Sequence, residues 1–197
     1  AVGARQGKLP QKALFLGLGA GTLPSLLLHE NADYVAVELD QGAAELATDY
    51  LGLQGVDVRI GDALDHSTIA PGRYDLIALD VYDDTNNVPI QFCDRAFADG
   101  IANALADDGV FVANFHVGSA DEDARADRAA RAYQSAFGEL LAAPVRYQGN
   151  RVFVAGAGVV EADAVAAAER LGWPFDPRSR LRRLERCLLY TSPSPRD

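Results

Sequence analysis

Methionine is absent from all 197 residues of this chain, and cysteine occurs only twice. The second cysteine, Cys187, opens a final segment that resembles the translation of a sequencing adapter, so we expect residues 187–197 to lie outside the natural protein. Because no methionine is present, we also expect the natural chain to begin before Ala1. Cys93 is then the only cysteine of the natural part, which excludes an internal disulfide and a cysteine-rich metal site and favours a reducing, cytoplasmic setting.

Long apolar runs and an excess of positive charge are also missing. The apolar runs at residues 26–28 and 110–112 are far shorter than the roughly 20 residues that a membrane-spanning helix needs, so this piece is expected to contain no membrane span. The chain has 18 Lys and Arg against 28 Asp and Glu, for a formal net charge of -10. That charge disfavours nucleic acids and anionic membranes, and it suits a small-molecule or amine-bearing substrate. The oligomeric state, a homodimer included, stays open.

The chain alternates apolar runs of strand length with segments of helical period, which predicts an α/β fold with a mostly parallel sheet. Because these runs are rich in Val, Ile, Leu and Phe without strict alternation, we expect their strands to be buried on both faces. The five strands are predicted at residues 13–17, 34–39, 56–60, 74–81 and 109–115. Residues 145–148 and 151–155, around a Gly149–Asn150 turn, predict a closing antiparallel hairpin.

Helix boundaries are indicated between these strands. Thr22 is predicted to cap the first helix and Asp40 to begin the second. Asp94 is predicted to begin a third helix, which Gly109 would end. Two further helices are predicted over residues 121–137 and 161–171.

Composition also suggests how the chain is divided. We expect a remnant of an upstream segment in residues 1–11, one domain in residues 12–175, a basic extension in residues 176–186 and the adapter-like segment in residues 187–197. The basic run at residues 178–183 is interpreted as a solvated helix start, with a basic contact surface as the alternative.

A glycine-rich turn follows the first predicted strand. Gly17, Gly19 and Gly21 allow the backbone to turn tightly and to approach a ligand beside the free N–H groups of a helix start. Glu38 ends the next strand about 20 residues later, where a carboxylate can accept hydrogen bonds from both ribose hydroxyls. These features predict a nucleoside site, and they suit NAD and S-adenosylmethionine equally.

The third predicted strand distinguishes these two cofactors. Asp62 follows this strand together with Ala63, and its carboxylate can accept a hydrogen bond from an adenine amino group. Three successive strand ends would then line one crevice, as ligand sites in open α/β sheets do. A dinucleotide fingerprint would need a third glycine where Thr22 stands, so NAD is disfavoured.

The fourth predicted strand ends in a segment with three carboxylates, Asp80, Asp83 and Asp84. Negative charge at this position can bind a substrate amine or remove its proton. Tyr82 lies between them and is expected either to line the substrate pocket or to pack on the strand edge. This segment is therefore the candidate reacting end of the site.

Taken together, these motifs resemble the spermidine synthase family and its S-adenosylmethionine-dependent methyltransferase-like relatives. The resemblance covers residues 13 to about 116. It is carried by the Leu-Gly-x-Gly-x-Gly-Thr turn from Leu16, Val-Glu-Leu-Asp at residues 37–40, Gly-Asp-Ala at 61–63, Tyr-Asp-Leu-Ile at 74–77 leading to Asp80, and Gly-Val-Phe-Val at 109–112. It implies a class I methyltransferase (Rossmann-like) fold and a site for S-adenosylmethionine or its decarboxylated form. The implied cofactor-binding residues are Gly17, Gly19, Gly21, Glu38, Asp62 and Ala63.

The resemblance also implies roles at the reacting end. Spermidine synthases carry Asp-x-x-Asp-Pro, in which one aspartate acts as a base and the other holds the substrate amine; Asp80 and Asp83 match these catalytic positions, and Asp84 replaces the proline. Aminopropyltransferases also have an aspartate in the glycine turn, where this chain has Ala20. That aspartate would repel the carboxylate of S-adenosylmethionine.

We therefore expect transfer of a methyl group to an amine or another small nucleophile. The alternatives are aminopropyl transfer from decarboxylated S-adenosylmethionine to a polyamine, and a non-catalytic nucleoside-binding module. The amino-terminal substrate hairpin of spermidine synthases is not visible in the sequence. Part of the substrate pocket is therefore expected to lie outside this piece.

The remaining candidates are weaker. His29, His66 and His116 have no metal-ligand spacing, so no metal site is predicted. His116 is the nearest of them to the expected site, but a catalytic role is not favoured. Cys93 is interpreted as a small residue near a helix start rather than as a nucleophile, and Trp173 is expected to cover an edge of the core.

Overall fold

In the computed structural model, the described residues are 9–66, 74–145, 149–156 and 185–186. They form one eight-stranded sheet in the order β3-β2-β1-β4-β5-β7-β6-β8. The strands are β1 Lys12–Leu16, β2 Asp33–Glu38, β3 Val56–Ile60, β4 Tyr74–Leu79, β5 Leu105–His116, β6 Leu141–Val145, β7 Asn150–Ala155 and β8 Glu185–Arg186. The first five pair in parallel, and the other three join antiparallel, so the predicted α/β fold with a closing hairpin is confirmed.

The helices lie between the strands, as a parallel sheet requires. They are α1 Thr22–Leu27, α2 Gln41–Glu45, α3 Ala63–His66, α4 Arg95–Ala104 and α5 Ala120–Phe137; a π-helical turn, Leu46–Tyr50, extends α2, and a 3₁₀ turn, Ile90–Cys93, precedes α4. Asp40 begins α2 as predicted, because its carboxylate accepts hydrogen bonds from the N–H groups of Gly42 and Ala43. Within the described residues, every helix is too short or too polar to cross a bilayer.

Two predicted helix boundaries are wrong. The N-cap of α1 is Gly21, in a left-handed conformation, and no side chain caps this helix end, so Thr22 is the first helical residue instead. Helix α4 ends at Ala104, because Leu105 is already extended (φ -71°, ψ 146°), and Gly109 lies within β5. A Cβ atom on Gly109 would lie 2.7 Å from the backbone oxygen of Tyr74. This glycine therefore permits close packing of strands and does not end a helix.

Of the predicted hairpin strand at residues 145–148, residues 146–148 lie outside the described residues. Strand β6 is Leu141–Val145. Asn150, which was expected in the turn, is instead the first residue of β7. The predicted helix over residues 161–171, the basic run at residues 178–183 and Trp173 lie outside the described residues.

Strands β1, β2 and β4 are mostly buried on both faces, as their apolar sequences predict. The expectation is wrong for β3, because it is an edge strand whose residues are half-buried or exposed. On one face of the sheet α4 and α5 pack, and the ring of Tyr133 on α5 lies 5.0 Å from that of Phe111 in an edge-to-face arrangement. The other buried residues of α5 are all alanines, at positions 126, 129, 130 and 132. Helices α1 and α2 pack on the other face. The helix layers leave the carboxyl ends of the parallel strands as the edge where loops can carry functional side chains.

Candidate functional site

Three backbone hydrogen bonds extend the sheet past the carboxyl ends of β1 to β4. The N–H of Gly17 donates to the oxygen of Val37 (2.9 Å), that of Gly61 to Glu38 (2.9 Å) and that of Asp80 to Leu16 (2.8 Å). The glycine turn, the end of β2, the loop after β3 and the loop after β4 are thereby held at one edge. The structure thus brings the predicted nucleoside residues and the predicted reacting end to the same side of the sheet.

The glycine turn lies directly against the end of β4. Gly17 has φ +89°, and a Cβ atom added to it would lie 2.2 Å from the backbone oxygen of Asp80. No side chain fits there. Gly19 is different, because its φ of +51° is left-handed but an added Cβ would meet nothing within 4 Å. The turn is therefore packed tightly at Gly17 and borders open space at Gly19.

Glu38 binds the backbone of this turn. Its Oε2 accepts hydrogen bonds from the N–H groups of Leu18 (2.9 Å) and Gly19 (3.3 Å), and its Oε1 accepts one from Asp40 (3.0 Å). Because each carboxylate oxygen can accept more than one hydrogen bond, ribose hydroxyls could still bind here. The ribose-binding role of Glu38 stays a prediction.

Asp62 begins the short helix α3. Its Oδ1 accepts a hydrogen bond from the N–H of Leu64 (2.9 Å), while Ala63 beside it is buried. The side chain of Asp62 is exposed at the same edge as Glu38. Its adenine-binding role, like the contact predicted for Ala63, stays a prediction.

Asp80 lies at the end of β4, exposed, and is held by a chain of two asparagines. Asn114 of β5 donates from its Nδ2 to Oδ1 of Asp80 (3.0 Å), and Asn150 of β7 donates from its Nδ2 to Oδ1 of Asn114 (2.9 Å). The backbone oxygen of Asn114 accepts a hydrogen bond from the hydroxyl of Tyr82 (3.3 Å). This network fixes one oxygen of the Asp80 carboxylate.

Asp83 shapes the loop in which it lies. Its Oδ1 accepts hydrogen bonds from the hydroxyl of Thr85 (2.6 Å), from the N–H of Thr85 (2.9 Å) and from the N–H of Asn87 (3.0 Å). The hydroxyl of Thr85 is the main cause that lowers the pKa of Asp83, and Arg125 adds to this effect. Asp83 is therefore ionised at neutral pH. Asp84, next in the chain, is exposed.

Tyr82 lies beside His116, with the ring centroids 4.9 Å apart. Burial, and then the charge of Asp80, raise the pKa of Tyr82, so its hydroxyl stays protonated at neutral pH. Nδ2 of Asn86 lies 2.7 Å from Nδ1 of His116. Because an amide nitrogen only donates, this imidazole nitrogen is the acceptor.

Comparisons with known proteins identify the fold. No protein-family model matches the chain. Among curated proteins, a polyamine aminopropyltransferase of Vibrio vulnificus is 29% identical over 154 residues, covering 74% of this chain and 50% of that protein. An N-terminal histidine N-methyltransferase of Emericella nidulans is 30% identical over 109 residues, covering 52% of this chain and 19% of that protein. The chain thus spans at most about half the length of these two relatives.

Solved structures agree in backbone over most of the chain. Human methyltransferase-like protein 13 in complex with SAH superposes with a TM-score of 0.72 at 23% identity, covering 84% of each chain. A spermidine synthase in complex with the transition-state analogue AdoDATO superposes with a TM-score of 0.72 at 20% identity, covering 89% of this chain and 66% of that one. The chain has the class I methyltransferase fold. Together with the similarity to the curated relatives, this fold confirms the resemblance to the spermidine synthase family and its methyltransferase-like relatives.

The class I methyltransferase fold brings residues to the site that sequence reasoning did not identify. Asn114 and Asn150 are two of them, and Asn86 is the third. The available signal was Asn114 itself, a polar residue in the otherwise apolar run from Val110 to Phe115. The sequence could not show that it meets Asn150, which is 36 residues away.

The surroundings of two weaker candidates, Cys93 and His29, indicate a structural role. Cys93 is fully buried, and burial raises the pKa of its thiol to about 11, which does not suit a nucleophile. The ring of His29 lies near that of Tyr34, between α1 and β2. Among the described residues, no group of three or more His, Cys, Asp or Glu side chains could hold a metal ion.

Proposed function

We propose that this chain is the cofactor-binding part of an S-adenosylmethionine-dependent transferase, which moves a methyl group to an amine or another small nucleophile. The observation that carries the preference for methyl transfer is Ala20. This residue is exposed in the glycine turn and brings no charge to it. A cofactor that bears a carboxylate would therefore meet no repelling side chain at this position.

The residues at the strand ends fit a nucleoside. Gly19 borders open space, and Glu38 and Asp62 present carboxylates at the same edge. Two apolar side chains stand exposed there as well: Leu39, three-quarters exposed, follows Glu38, and Ile60, about half exposed, precedes Gly61. Exposed apolar surface beside hydrogen-bonding groups suits a nucleobase. We assign the nucleoside-binding role to Gly17, Gly19, Gly21, Glu38, Asp62 and Ala63.

The residues after β4 fit an amine acceptor. When bound, S-adenosylmethionine would supply a methyl group on a positively charged sulfur. An amine attacks only when it is unprotonated, and Asp80, whose carboxylate is exposed and oriented by Asn114, would accept the amine proton. Asp83 and Asp84 would attract the cationic form of the substrate, and Tyr82 would line its pocket as a neutral hydroxyl.

A second candidate is aminopropyl transfer from decarboxylated S-adenosylmethionine to a polyamine. It is favoured by the Asp80-x-x-Asp83 spacing and by the similarity to polyamine aminopropyltransferases. Ala20 counts against it, because a cofactor with an amine but no carboxylate would gain from an acidic side chain in the turn.

The products of the reaction test the proposal. The protein would be incubated with each cofactor and a panel of amines that includes putrescine. S-adenosylhomocysteine as the product supports methyl transfer, whereas methylthioadenosine formed from the decarboxylated cofactor and putrescine supports aminopropyl transfer. Cofactor binding without turnover of any amine would indicate a non-catalytic module.

The charge argument has its own test. Ala20→Asp should weaken binding of S-adenosylmethionine by about tenfold relative to Ala20→Asn, which has the same size but no charge. The backbone at Ala20 is not left-handed, so both side chains can be accommodated. Equal affinities of the two variants for this cofactor would show that the argument is wrong.

A further inference from the structure

We propose that Asn150 is a positioning residue, which acts through Asn114 to hold the Asp80 carboxylate in the orientation that serves the substrate. The proposal rests on the function proposed above, because it gives Asn150 a task in proton acceptance by Asp80. Asn150 begins β7, which is separated from β4 by β5 in the sheet. It would therefore connect the closing hairpin to the reacting end of the site.

The first contact follows from the register of two parallel strands. Leu79 of β4 pairs with Ala113 of β5. The next step along both strands places Asp80 beside Asn114, on the same face of the sheet. This proximity allows the hydrogen bond of 3.0 Å from Nδ2 of Asn114 to Oδ1 of Asp80.

The second contact follows from the antiparallel pairing of β5 with β7. Asn150 pairs with His116, and Asn114 lies two residues before His116 on the same face. Asn150 and Asn114 are thus diagonal neighbours, which are within reach of each other across a sheet. Their hydrogen bond of 2.9 Å runs from Nδ2 of Asn150 to Oδ1 of Asn114.

The two hydrogen bonds of the Asn114 amide have a defined direction. The Asp80 carboxylate only accepts, so it takes the amide nitrogen of Asn114 and leaves the amide oxygen for Nδ2 of Asn150. If the amide of Asn114 turned over, its oxygen would face the carboxylate oxygen of Asp80. Asp80 therefore sets the amide orientation, and Asn150 stabilises the amide in that orientation.

One consequence concerns the two oxygens of Asp80. The two hydrogen bonds that lead from Asn150 through Asn114 to Asp80 form a relay. This relay occupies Oδ1 of Asp80, whereas Oδ2 has no hydrogen-bond partner among the described residues. Oδ2 is then the oxygen that meets the substrate amine, in a direction set by Asn114. Without Asn150 the same carboxylate would be present, but its orientation would vary.

A nuclear magnetic resonance experiment tests the relay without requiring turnover. In ¹⁵N-labelled protein, the side-chain amide signals of Asn114 should shift in both Asp80→Ala and Asn150→Ala. The control is Asn103→Ala, because Asn103 is an exposed residue of α4. Asn114 signals that do not move in Asp80→Ala would overturn the proposal, whatever the protein catalyses.

Kinetics then test the positioning role. Asn150→Asp keeps the size of the side chain but removes its donor, and we expect kcat to fall about tenfold while the dissociation constant for S-adenosylhomocysteine stays unchanged. The double variant with Asn114→Ala should be no slower than Asn114→Ala alone, because both changes break one relay. Asn150→Gln, which retains a donor, should recover part of the loss.

The outcomes separate this proposal from the proposed function. If the wild-type protein shows no turnover, the proposed function fails, and the amide signals alone decide the relay. If the wild-type protein is active and Asn150→Asp keeps the wild-type kcat, the positioning role is refuted. An equal loss of cofactor affinity in Asn150→Asp would show a purely structural role and would also overturn the proposal.

Discussion

The backbone oxygen of Asp80 lies 2.2 Å from the position that a Cβ atom on Gly17 would occupy. The glycine turn after β1 and the carboxylate segment after β4 therefore touch through their backbones. Since the two segments are proposed to hold the cofactor and the substrate amine, this contact sets how close the two can be. A substitution at Gly17 should therefore disturb the backbone of both segments.

We expect Gly17→Ala to lower the free energy of unfolding by about 3 kcal/mol, from a left-handed backbone and from overpacking against Asp80. Gly52→Ala is the matched control, because Gly52 also has a positive φ (+75°) but an added Cβ would meet nothing within 4 Å. This control should lose only about 1 kcal/mol. Urea unfolding measures both, and equal losses would contradict the close contact.

The loop after β4 should respond to pH through Asp83. The hydroxyl of Thr85 is the main cause of its lowered pKa, so Thr85→Val should raise the pKa of Asp83 towards its usual value, while Thr85→Ser should not. The chemical shift of the Asp83 carboxyl carbon, followed as a function of pH, measures this.

The sign of the stability effect follows from linkage. A carboxyl whose pKa is lower in the folded state stabilises that state above its unfolded pKa of about 3.9. This contribution is lost as the pH falls through the folded pKa. The stability difference between wild type and Thr85→Val should therefore shrink from pH 5 downwards, and a difference that does not depend on pH would refute the assignment to Asp83.

Tyr133 should stabilise the core through its hydroxyl as well as its ring. It is completely buried, and its hydroxyl donates to the backbone oxygen of Phe92 (2.8 Å). Tyr133→Phe removes this buried hydrogen bond, so we expect a loss of about 1–3 kcal/mol in the free energy of unfolding. Tyr50→Phe, at a side chain that is 81% exposed, should change it very little. Chemical denaturation compares the two, and equal effects would contradict the hydrogen bond.

The fold could be predicted because its signals are local. The parallel strands β1, β2 and β4 are mostly apolar runs between turn residues, and Asp40 is followed directly by the N–H groups that it caps. The start of α1 was missed because Gly21 caps it with its backbone conformation, which leaves no side-chain signature. Gly109 was misassigned because close packing against Tyr74 and a helix end require the same residue type.

The candidate site was predictable only in part. Glu38, Asp62 and Asp80 could be expected at one edge because parallel strands end together. The bonds of Asn114 could not be foreseen, since they depend on the register of β5 against β4 and β7. The three hydrogen bonds to Asp83 depend on the conformation of a loop, which no periodicity describes.

The most direct test of the proposed function is calorimetric binding of S-adenosylmethionine and of its decarboxylated form to the 197-residue chain. We predict tighter binding of S-adenosylmethionine, because Ala20 leaves the turn without a charge that would repel its carboxylate. Tighter binding of the decarboxylated form would contradict methyl transfer, and binding of neither would contradict the nucleoside site itself.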